Sequence, residues 1–381
     1  MKWTNILRYF YLLGAVNALF FSVLIFSKPQ RQPKDKLLGS WLIILSLQLL
    51  FPFLYLADLH TYYRFAGLEV SFYAIHPLLL YLYIKSVTGQ FPSRKRLTVL
   101  ILFSLIVEIS VLAYFIIPAE DRLKLILGEK PIENSYYVLF LPIIIYFVTY
   151  FFLSINALKN YKSNILHIYS YKESIDLMWL RKLVLLFYGL LLMSLPIAVV
   201  FYLNHISIAE GDYFYFVGLT CFIFLLGYWG YKQGDVFNFQ TVIDEKNITE
   251  ETEQTKPVNS QKYNSKVSVL EELMEKQKPY LNPTLTIYEL ARLADMQPHQ
   301  LSKLINKKFN CNFFEYINRY RIESFKKYLF SDKYKEFTLL AIALECGFNS
   351  KSAFNRVFKE QTGITPGEFK KQYHQNNVLK N

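Results

Sequence analysis

Two short stretches near the end of the chain carry basic, hydroxyl and amide side chains at helical spacing. In the first stretch these side chains are His299, Gln300, Ser302, Lys303 and Lys307. In the second stretch they are Ser350, Lys351, Ser352, Asn355, Arg356 and Lys359. Lysine and arginine bind phosphate oxygens, and arginine, glutamine and asparagine hydrogen-bond to base edges in the major groove. The two stretches therefore predict a pair of surfaces that contact double-stranded DNA.

The first stretch is predicted to be the second helix of a pair. Thr286 precedes the apolar-periodic IYELARLA and is a suitable helix cap, and Pro298 opens PHQLSKLINKKF after a short turn. The buried seam of the two crossed helices is predicted to consist of Leu290, Leu293, Leu301, Leu304, Ile305 and Phe309. This arrangement predicts a helix-turn-helix unit at about 284–309.

The second stretch repeats this order after a long connecting helix at about 313–330. Thr338 is placed to cap LLAIALECGF, and Ser350 is placed to cap KSAFNRVFKEQTG. A second helix-turn-helix unit is therefore predicted at about 338–361. Together the two units and the connecting helix form a predicted domain at 263–381.

This region resembles the DNA-binding domain of AraC/XylS-type transcription regulators over roughly 265–375. The resemblance rests on YELARLADMQPHQLSKLINKKF, on the connector FFEYINRYRIESFKKYL with its Arg321, and on IALECGFNSKSAFNRVFKEQTGITPGEF. The signature positions of the last stretch are Gly347, Phe348, Phe354, Val357, Phe358, Lys359, Gly363, Thr365 and Pro366. Asn310 stands where such proteins usually have glycine, and asparagine tolerates the left-handed end of a helix. The resemblance implies a two-headed reader of promoter DNA.

The N-terminal part differs from the soluble β-barrel sensor of the best-known members of that family. Of the 381 residues, 53% are hydrophobic and 18% aromatic, and the formal net charge is +12. Seven apolar stretches are long enough to cross a hydrocarbon layer of about 30 Å. They lie at roughly 6–27, 37–57, 66–86, 97–117, 135–158, 183–203 and 212–231. We therefore expect a polytopic seven-helix membrane bundle at 1–231, an organisation similar to that of membrane-bound family members in some Gram-negative bacteria.

The distribution of lysine and arginine between the spans predicts the orientation of the bundle. The odd-numbered loops carry four, four and five of these residues, thirteen in all, whereas the even-numbered loops carry one, three and none. Basic loops resist translocation, so the odd-numbered loops are expected in the cytoplasm. This places the N-terminus outside the cytoplasmic (inner) membrane, and the C-terminal domain in the cytoplasm.

Three ionisable side chains fall inside the predicted spans. Glu108 lies near the middle of the fourth span, and Glu69 and His76 lie in the third. An unpaired charge at that depth is costly, so these groups are expected to face the bundle. They are candidates for a sensing site, and buried hydrogen bonds between helices are the alternative for each of them.

The stretch between the two domains, at 232–262, is polar and acid-rich and is predicted to be a flexible linker. It would hold the DNA-binding domain away from the bilayer. Expected partners are double-stranded DNA, the lipid bilayer, an unidentified small-molecule or envelope signal and the transcription machinery; a homodimer remains open.

No motif for catalysis, cofactor binding or metal binding is recognised. Cys221, Cys311 and Cys346 lie far apart without a CxxC or Cys/His cluster, which argues against disulfides and zinc. The sequence also lacks GxSxG, HExxH, P-loop and dinucleotide fingerprints, which argues against an enzyme. The leading hypothesis is a membrane-anchored transcription regulator. A membrane receptor or transporter whose helix-turn-helix tail is a protein-docking module is the alternative.

Overall fold

Every regular secondary-structure element in the part of the chain that the structure describes is a helix. The structure is a computed structural model that describes residues 2–57, 68–112, 134–172, 175–203, 208–232 and 260–378, together with positions 118 and 120. Within these residues there are fourteen α-helices and two short 3-10 turns, and no β-strand. The prediction of an all-α protein is confirmed for them.

Contacts divide the chain into two compact units. The first unit is Met1–Lys159 with Leu177–Gln240, and the second is Asn160–Asp176 with Thr241–Asn381. The second unit therefore combines the C-terminal part of the chain with a short piece from between two apolar helices. The linker predicted at 232–262 lies almost entirely outside the described residues.

Seven helices precede the C-terminal part. They are α1 (Lys2–Phe26), α2 (Pro33–Ala57), α3 (Leu68–Val87), α4 (Arg94–Leu112), α5 (Asn134–Ile168), α6 (Met178–Leu203) and α7 (Ile208–Lys232). Among the described residues, four segments are long and apolar enough to cross a membrane, judged by length and composition. They are Asn5–Phe26, Pro33–Leu54, Pro142–Ile168 and Phe214–Lys232.

Small residues allow the helices of the first unit to approach closely. A Cβ atom on Gly14 of α1 would lie 2.7 Å from atoms of both Leu49 on α2 and Thr220 on α7. The hydroxyl group of Ser46 donates a hydrogen bond of 2.9 Å to the main-chain oxygen of Ala15, joining α2 to α1. Close backbone approach and polar contacts of this kind hold helices together where the surroundings are apolar.

Helix α5 is longer than the apolar stretch that predicted it. The prediction ended the span at 158, whereas the helix has 35 residues and ends at Ile168. The sequence LSINALKNYKSNILHI contains neither glycine nor proline, so nothing ends the helix where its hydrophobicity ends. The last nine helical residues belong to the second unit.

The second unit contains seven further helices. They are α8 (Ser260–Lys276), α9 (Ile287–Leu293), α10 (Pro298–Phe309), α11 (Phe313–Leu329), α12 (Leu339–Glu345), α13 (Lys351–Thr362) and α14 (Pro366–Val378). We name α9 with α10 the first helix pair, and α12 with α13 the second helix pair. Helix α11 connects them.

Each helix pair has its own hydrophobic core, and α11 contributes to both. The first core includes Leu270, Leu290, Leu301, Ile305 and Ile317. The second core includes Phe325, Ile342, Phe354, Val357 and Phe358. The connecting helix therefore contributes side chains to both cores.

Candidate nucleic-acid interface

The first helix pair begins and ends at the residues that the sequence indicated. The hydroxyl oxygen of Thr286 accepts a hydrogen bond of 3.3 Å from the amide of Glu289, and a carboxylate oxygen of Glu289 accepts one of 2.8 Å from the amide of Thr286. This reciprocal cap sets the start of α9. Pro298 occupies the first turn of α10, and Asn310 ends that helix with a left-handed φ of 48°.

Helix α10 carries the first set of candidate side chains. Lys303 and Lys307 are exposed, and His299, Gln300 and Ser302 are half-buried. Two of these side chains contact α8, which the sequence had not connected with the site. The amide oxygen of Gln300 accepts a hydrogen bond of 2.8 Å from Lys266. The ammonium group of Lys307 lies 5.5 Å from the centre of the Tyr263 ring. Helix α8 thus adds a basic and an aromatic residue beside α10.

Helix α13 carries the second set. Ser350 caps it, because the serine hydroxyl accepts a hydrogen bond of 3.1 Å from the amide of Ala353. The exposed side chains are Lys351, Ser352, Asn355 and Lys359, and Arg356 is half-buried. The opposite face of the helix is buried, as predicted for Phe354, Val357 and Phe358. The amphipathic pattern therefore directs the polar face of α13 outward.

A surface groove runs along α13. Its volume is about 470 Å³. The lining residues are Leu339, Leu340, Lys351, Phe354, Asn355, Arg356, Lys359, Thr365, Pro366 and Gly367. The groove therefore presents basic and amide groups from α13 beside apolar groups from α12 and the start of α14.

The buried Arg321 of α11 joins the turn before the first pair to the turn of the second pair. Its side chain is 1% exposed. It donates hydrogen bonds to the main-chain oxygens of Tyr280, at 2.8 Å, and Asn282, at 2.7 Å. Its guanidinium carbon lies 5.9 Å from the centre of the Phe348 ring. The sequence included Arg321 only as part of the connector, since spacing does not show which oxygens a buried arginine will reach.

Of the three candidate sensing residues of the first unit, the structure describes the side chains of His76 and Glu108. His76 is fully buried and hydrogen-bonded at both ring nitrogens. Nδ1 accepts from the indole N–H of Trp41 at 3.1 Å, and Nε2 lies 2.7 Å from the amide oxygen of Gln48. Glu108 is half-buried on α4. The side chain of Glu69 lies outside the described part of the structure.

The cysteines of the second unit are buried core residues. Burial raises the pKa of the Cys346 thiol to about 12 and also raises that of Cys311. Both thiols are therefore protonated at neutral pH, a form that is a poor metal ligand. Within the residues that the structure describes, no group of three or more His, Cys, Asp or Glu side chains could hold a metal ion.

Comparison with known proteins relates the second unit to transcription regulators. Residues 290–372 match the family model of a helix-turn-helix domain. The chain is 33% identical over 97 residues to the HTH-type transcriptional regulator YpdC of Escherichia coli, which is 26% of this chain and 33% of that protein. It is 33% identical over 90 residues to the HTH-type transcriptional regulator YijO of Escherichia coli, covering 24% and 31%. The regulatory protein PocR of Salmonella typhimurium is 27% identical over 97 residues, covering 26% and 31%.

The similarity thus spans about a third of the length of these relatives and about a quarter of this chain. No solved structure matches the chain significantly. The family match at 290–372 supports the prediction of an AraC-type DNA-binding domain at the C-terminus, and it does not include the seven N-terminal helices.

Proposed function

We propose that this protein is a membrane-anchored transcription regulator whose C-terminal unit binds promoter DNA. The observation that carries this proposal is the pair of outward polar faces on α10 and α13, located within the helix-turn-helix match at 290–372. Each face belongs to a helix with a separate hydrophobic core behind it. The two faces can therefore act as a tandem reader.

The length of α11 suits two neighbouring turns of one DNA duplex. It has 17 residues, which at 1.5 Å per residue span about 26 Å. Helices α10 and α13 lie beyond its two ends along the chain, and successive major grooves on one face of DNA are about 34 Å apart. We therefore assign α10 to one groove and α13 to the next.

The candidate side chains divide into two roles. Lys303, Lys307, Lys351 and Lys359 are exposed cations suited to phosphate contacts. Gln300, Asn355 and Arg356 have the groups that hydrogen-bond to base edges. His299, Ser302, Ser350 and Ser352 are assigned to contacts at the helix starts. In this scheme, Gln300 gives up its hydrogen bond with Lys266 when it binds a base edge.

The first unit is assigned to the membrane. Four segments meet the length and composition of a span, and we extend this to seven crossings, one for each of α1 to α7. The bundle would sense a signal, with Glu108, His76 and Glu69 as the candidate residues. An odd number of crossings places the N-terminus and the DNA-binding unit on opposite sides of the membrane, and the basic odd-numbered loops assign the DNA-binding unit to the cytoplasm.

The test is DNA selection with the full-length protein in lipid nanodiscs. We expect the protein to enrich particular sequences from a randomised duplex pool, and its affinity to fall as salt rises because phosphate contacts release counterions. Replacing both Lys351 and Lys359 by alanine should lower the slope of log affinity against log salt by about 2.

The control variant is Lys276→Ala. Lys276 is an exposed lysine at the end of α8, paired with Glu272 at 2.6 Å, so the change removes the same kind of charge outside both helix pairs. Its salt slope should equal that of the wild type. A folded full-length protein that enriches no sequence and shows no salt-dependent binding contradicts the proposal and favours the protein-docking alternative.

A further inference from the structure

Residues 166–172, which we name the docking segment, contact the cores of both helix pairs of the second unit. They comprise the last three residues of α5 and the four residues that follow, and they belong to the second unit by their contacts. Leu166 packs against the core of the second helix pair. Ile168 packs against the core of the first helix pair. Two side chains of one short segment thus connect the two cores.

The main chain of the docking segment pairs with the start of α9. Tyr169 and Thr286 form an isolated antiparallel β-bridge. The amide of Ser170 donates a hydrogen bond of 3.2 Å to the main-chain oxygen of Leu285. Since Thr286 is the cap of α9, the segment is fixed to the residue that starts the first helix pair.

Ser170 also binds the connecting helix at its buried arginine. Arg321 donates to the main-chain oxygen of Ser170 at 3.0 Å and to its hydroxyl oxygen at 3.1 Å. The amide nitrogen of Asn318 donates to the same main-chain oxygen at 3.3 Å. Ser170, Asn318 and Arg321 are each 1% exposed. Buried donors of this kind are costly to leave unsatisfied, so the bound segment is favoured.

The end of the docking segment lies beside the second helix pair. The ammonium group of Lys172 is 4.1 Å from the centre of the Phe314 ring. Burial lowers the pKa of Lys172, and the nearby Arg356 of α13 lowers it further. The segment therefore contacts the start of the first pair at Thr286, the connecting helix at Arg321, and the core of the second pair through Leu166.

The outward faces of α10 and α13 stay accessible with the segment in place. Lys303, Lys351, Asn355 and Lys359 are all exposed while the segment is bound. The segment covers buried groups of the cores and of α11 instead. Its binding is therefore compatible with DNA contacts.

We propose that the docking segment is the internal partner of the DNA-binding unit, and that its binding fixes the angle between the two helix pairs and thereby sets the affinity for DNA. This inference rests on the proposed function. Because α5 runs without interruption into the segment, a change in α5 reaches both helix pairs through contacts at Thr286 and Arg321. Two linked readers bind DNA much more tightly when their geometry matches the spacing of the two half-sites.

The experiment unseats the docking segment in the full-length protein held in lipid nanodiscs. The double variant Leu166→Asp with Ile168→Asp places carboxylates against both cores. The matched control is Ser163→Asp, which adds a carboxylate at an exposed position of the same helix. Binding is measured on the duplex selected from the random pool, and on the same duplex with about 5 base pairs, or half a turn, inserted between its half-sites.

We expect the double variant to bind the selected duplex at least about tenfold more weakly than the wild type, because the two readers lose their fixed spacing. It should also lose most of its preference for the selected duplex over the duplex with the insertion. Ser163→Asp should retain both the affinity and the preference. Unchanged or tighter binding by the double variant overturns the proposal.

Hydrogen exchange gives a readout that does not depend on DNA. The amides of Ser170 and of residues at the start of α9 should exchange faster in the double variant and at the wild-type rate in Ser163→Asp. Equal exchange in all three proteins means that the segment is not seated, and overturns the proposal by itself. Failure of the wild type to bind any duplex refutes the proposed function, whatever the exchange pattern.

A milder variant tests whether the weaker binding of the double variant is caused by general misfolding. Ser170→Ala removes only the hydroxyl oxygen that accepts from Arg321 at 3.1 Å. We expect a loss of affinity of about threefold on the selected duplex, the size expected for one hydrogen bond. An effect of Ser170→Ala equal on both duplexes contradicts a role in spacing.

Discussion

At the turn of the second helix pair, Gly347 has a φ of 88° and lies against the turn that precedes the first pair. A Cβ atom on Gly347 would be 2.4 Å from the main-chain oxygen of Tyr280. That oxygen also accepts a hydrogen bond from Arg321. One position thus combines a backbone conformation that favours glycine with a close approach to the turn that precedes the first pair. The glycine is therefore required both for the turn and for the joining of the pairs.

Substitution at two glycines separates these requirements. Gly347→Ala should lower the free energy of unfolding of the second unit by at least about 2 kcal/mol, because strain and a clash with backbone add together. Gly363→Ala should cost about 1 kcal/mol, since Gly363 has a φ of 80° but nothing within 4 Å of its added Cβ. Pulse proteolysis of the full-length variants measures both values, and equal losses would contradict the role of the contact with Tyr280.

The sequence predicts single residues well where the cause is local. Thr286, Ser350 and Asn310 were identified from helix caps and helix ends, which depend on neighbouring residues alone. The burial predicted for Leu293 was wrong, since this side chain is 46% exposed. The buried stripe of α9 passes through Leu290 and its neighbours, and tertiary packing decides which edge of a seven-residue helix is covered. The partners of Arg321 are similarly distant in sequence and had no local signal.

At the scale of elements, mutations in the two outward helices are expected to have different effects from mutations in the helices that support them. A supporting helix such as α12 contributes to a core, so its substitutions lower stability. An outward face such as that of α13 contributes to binding, so its substitutions leave stability nearly unchanged. The capping residues and apolar periodicity predicted these helices, whereas the extension of α5 to Ile168 was missed because helix continuation does not require hydrophobicity.

Along α13, contacts with bases and with phosphates are separable by mutation. Arg356→Ala should cost about 1–3 kcal/mol on the selected duplex and relax the sequence preference at one position. Lys359→Ala should weaken binding to all duplexes alike and lower the salt slope by about 1. Competition between duplexes with single base changes measures the preference. Identical losses on all duplexes for both variants would show that α13 contacts phosphates alone.

For the whole molecule, the distribution of lysine and arginine predicts which ends lie in the cytoplasm. A reporter fused after Asn381 should be active only if it functions in the cytoplasm, and a reporter inserted near residue 206 only if it functions outside. The physical reason is that the odd-numbered loops, with thirteen basic residues against four, resist translocation. If each reporter is active only on the opposite side, the orientation is reversed. The second unit would then lie outside the cytoplasm, where it could not bind DNA.

The docking segment also has a consequence for how the protein is made. Ser170 and Arg321 are 151 residues apart in the chain, yet they are hydrogen-bonded in the folded unit. At a synthesis rate of about 5–20 residues per second, the segment leaves the ribosome roughly 8–30 s before its arginine partner does. During that interval α6 and α7 must be produced while Tyr169, Ser170 and Tyr171 still lack the surfaces that bury them. The nascent chain therefore exposes this tyrosine-containing peptide for seconds. Correct folding requires that the peptide stay free of other contacts until the C-terminal domain has been synthesised.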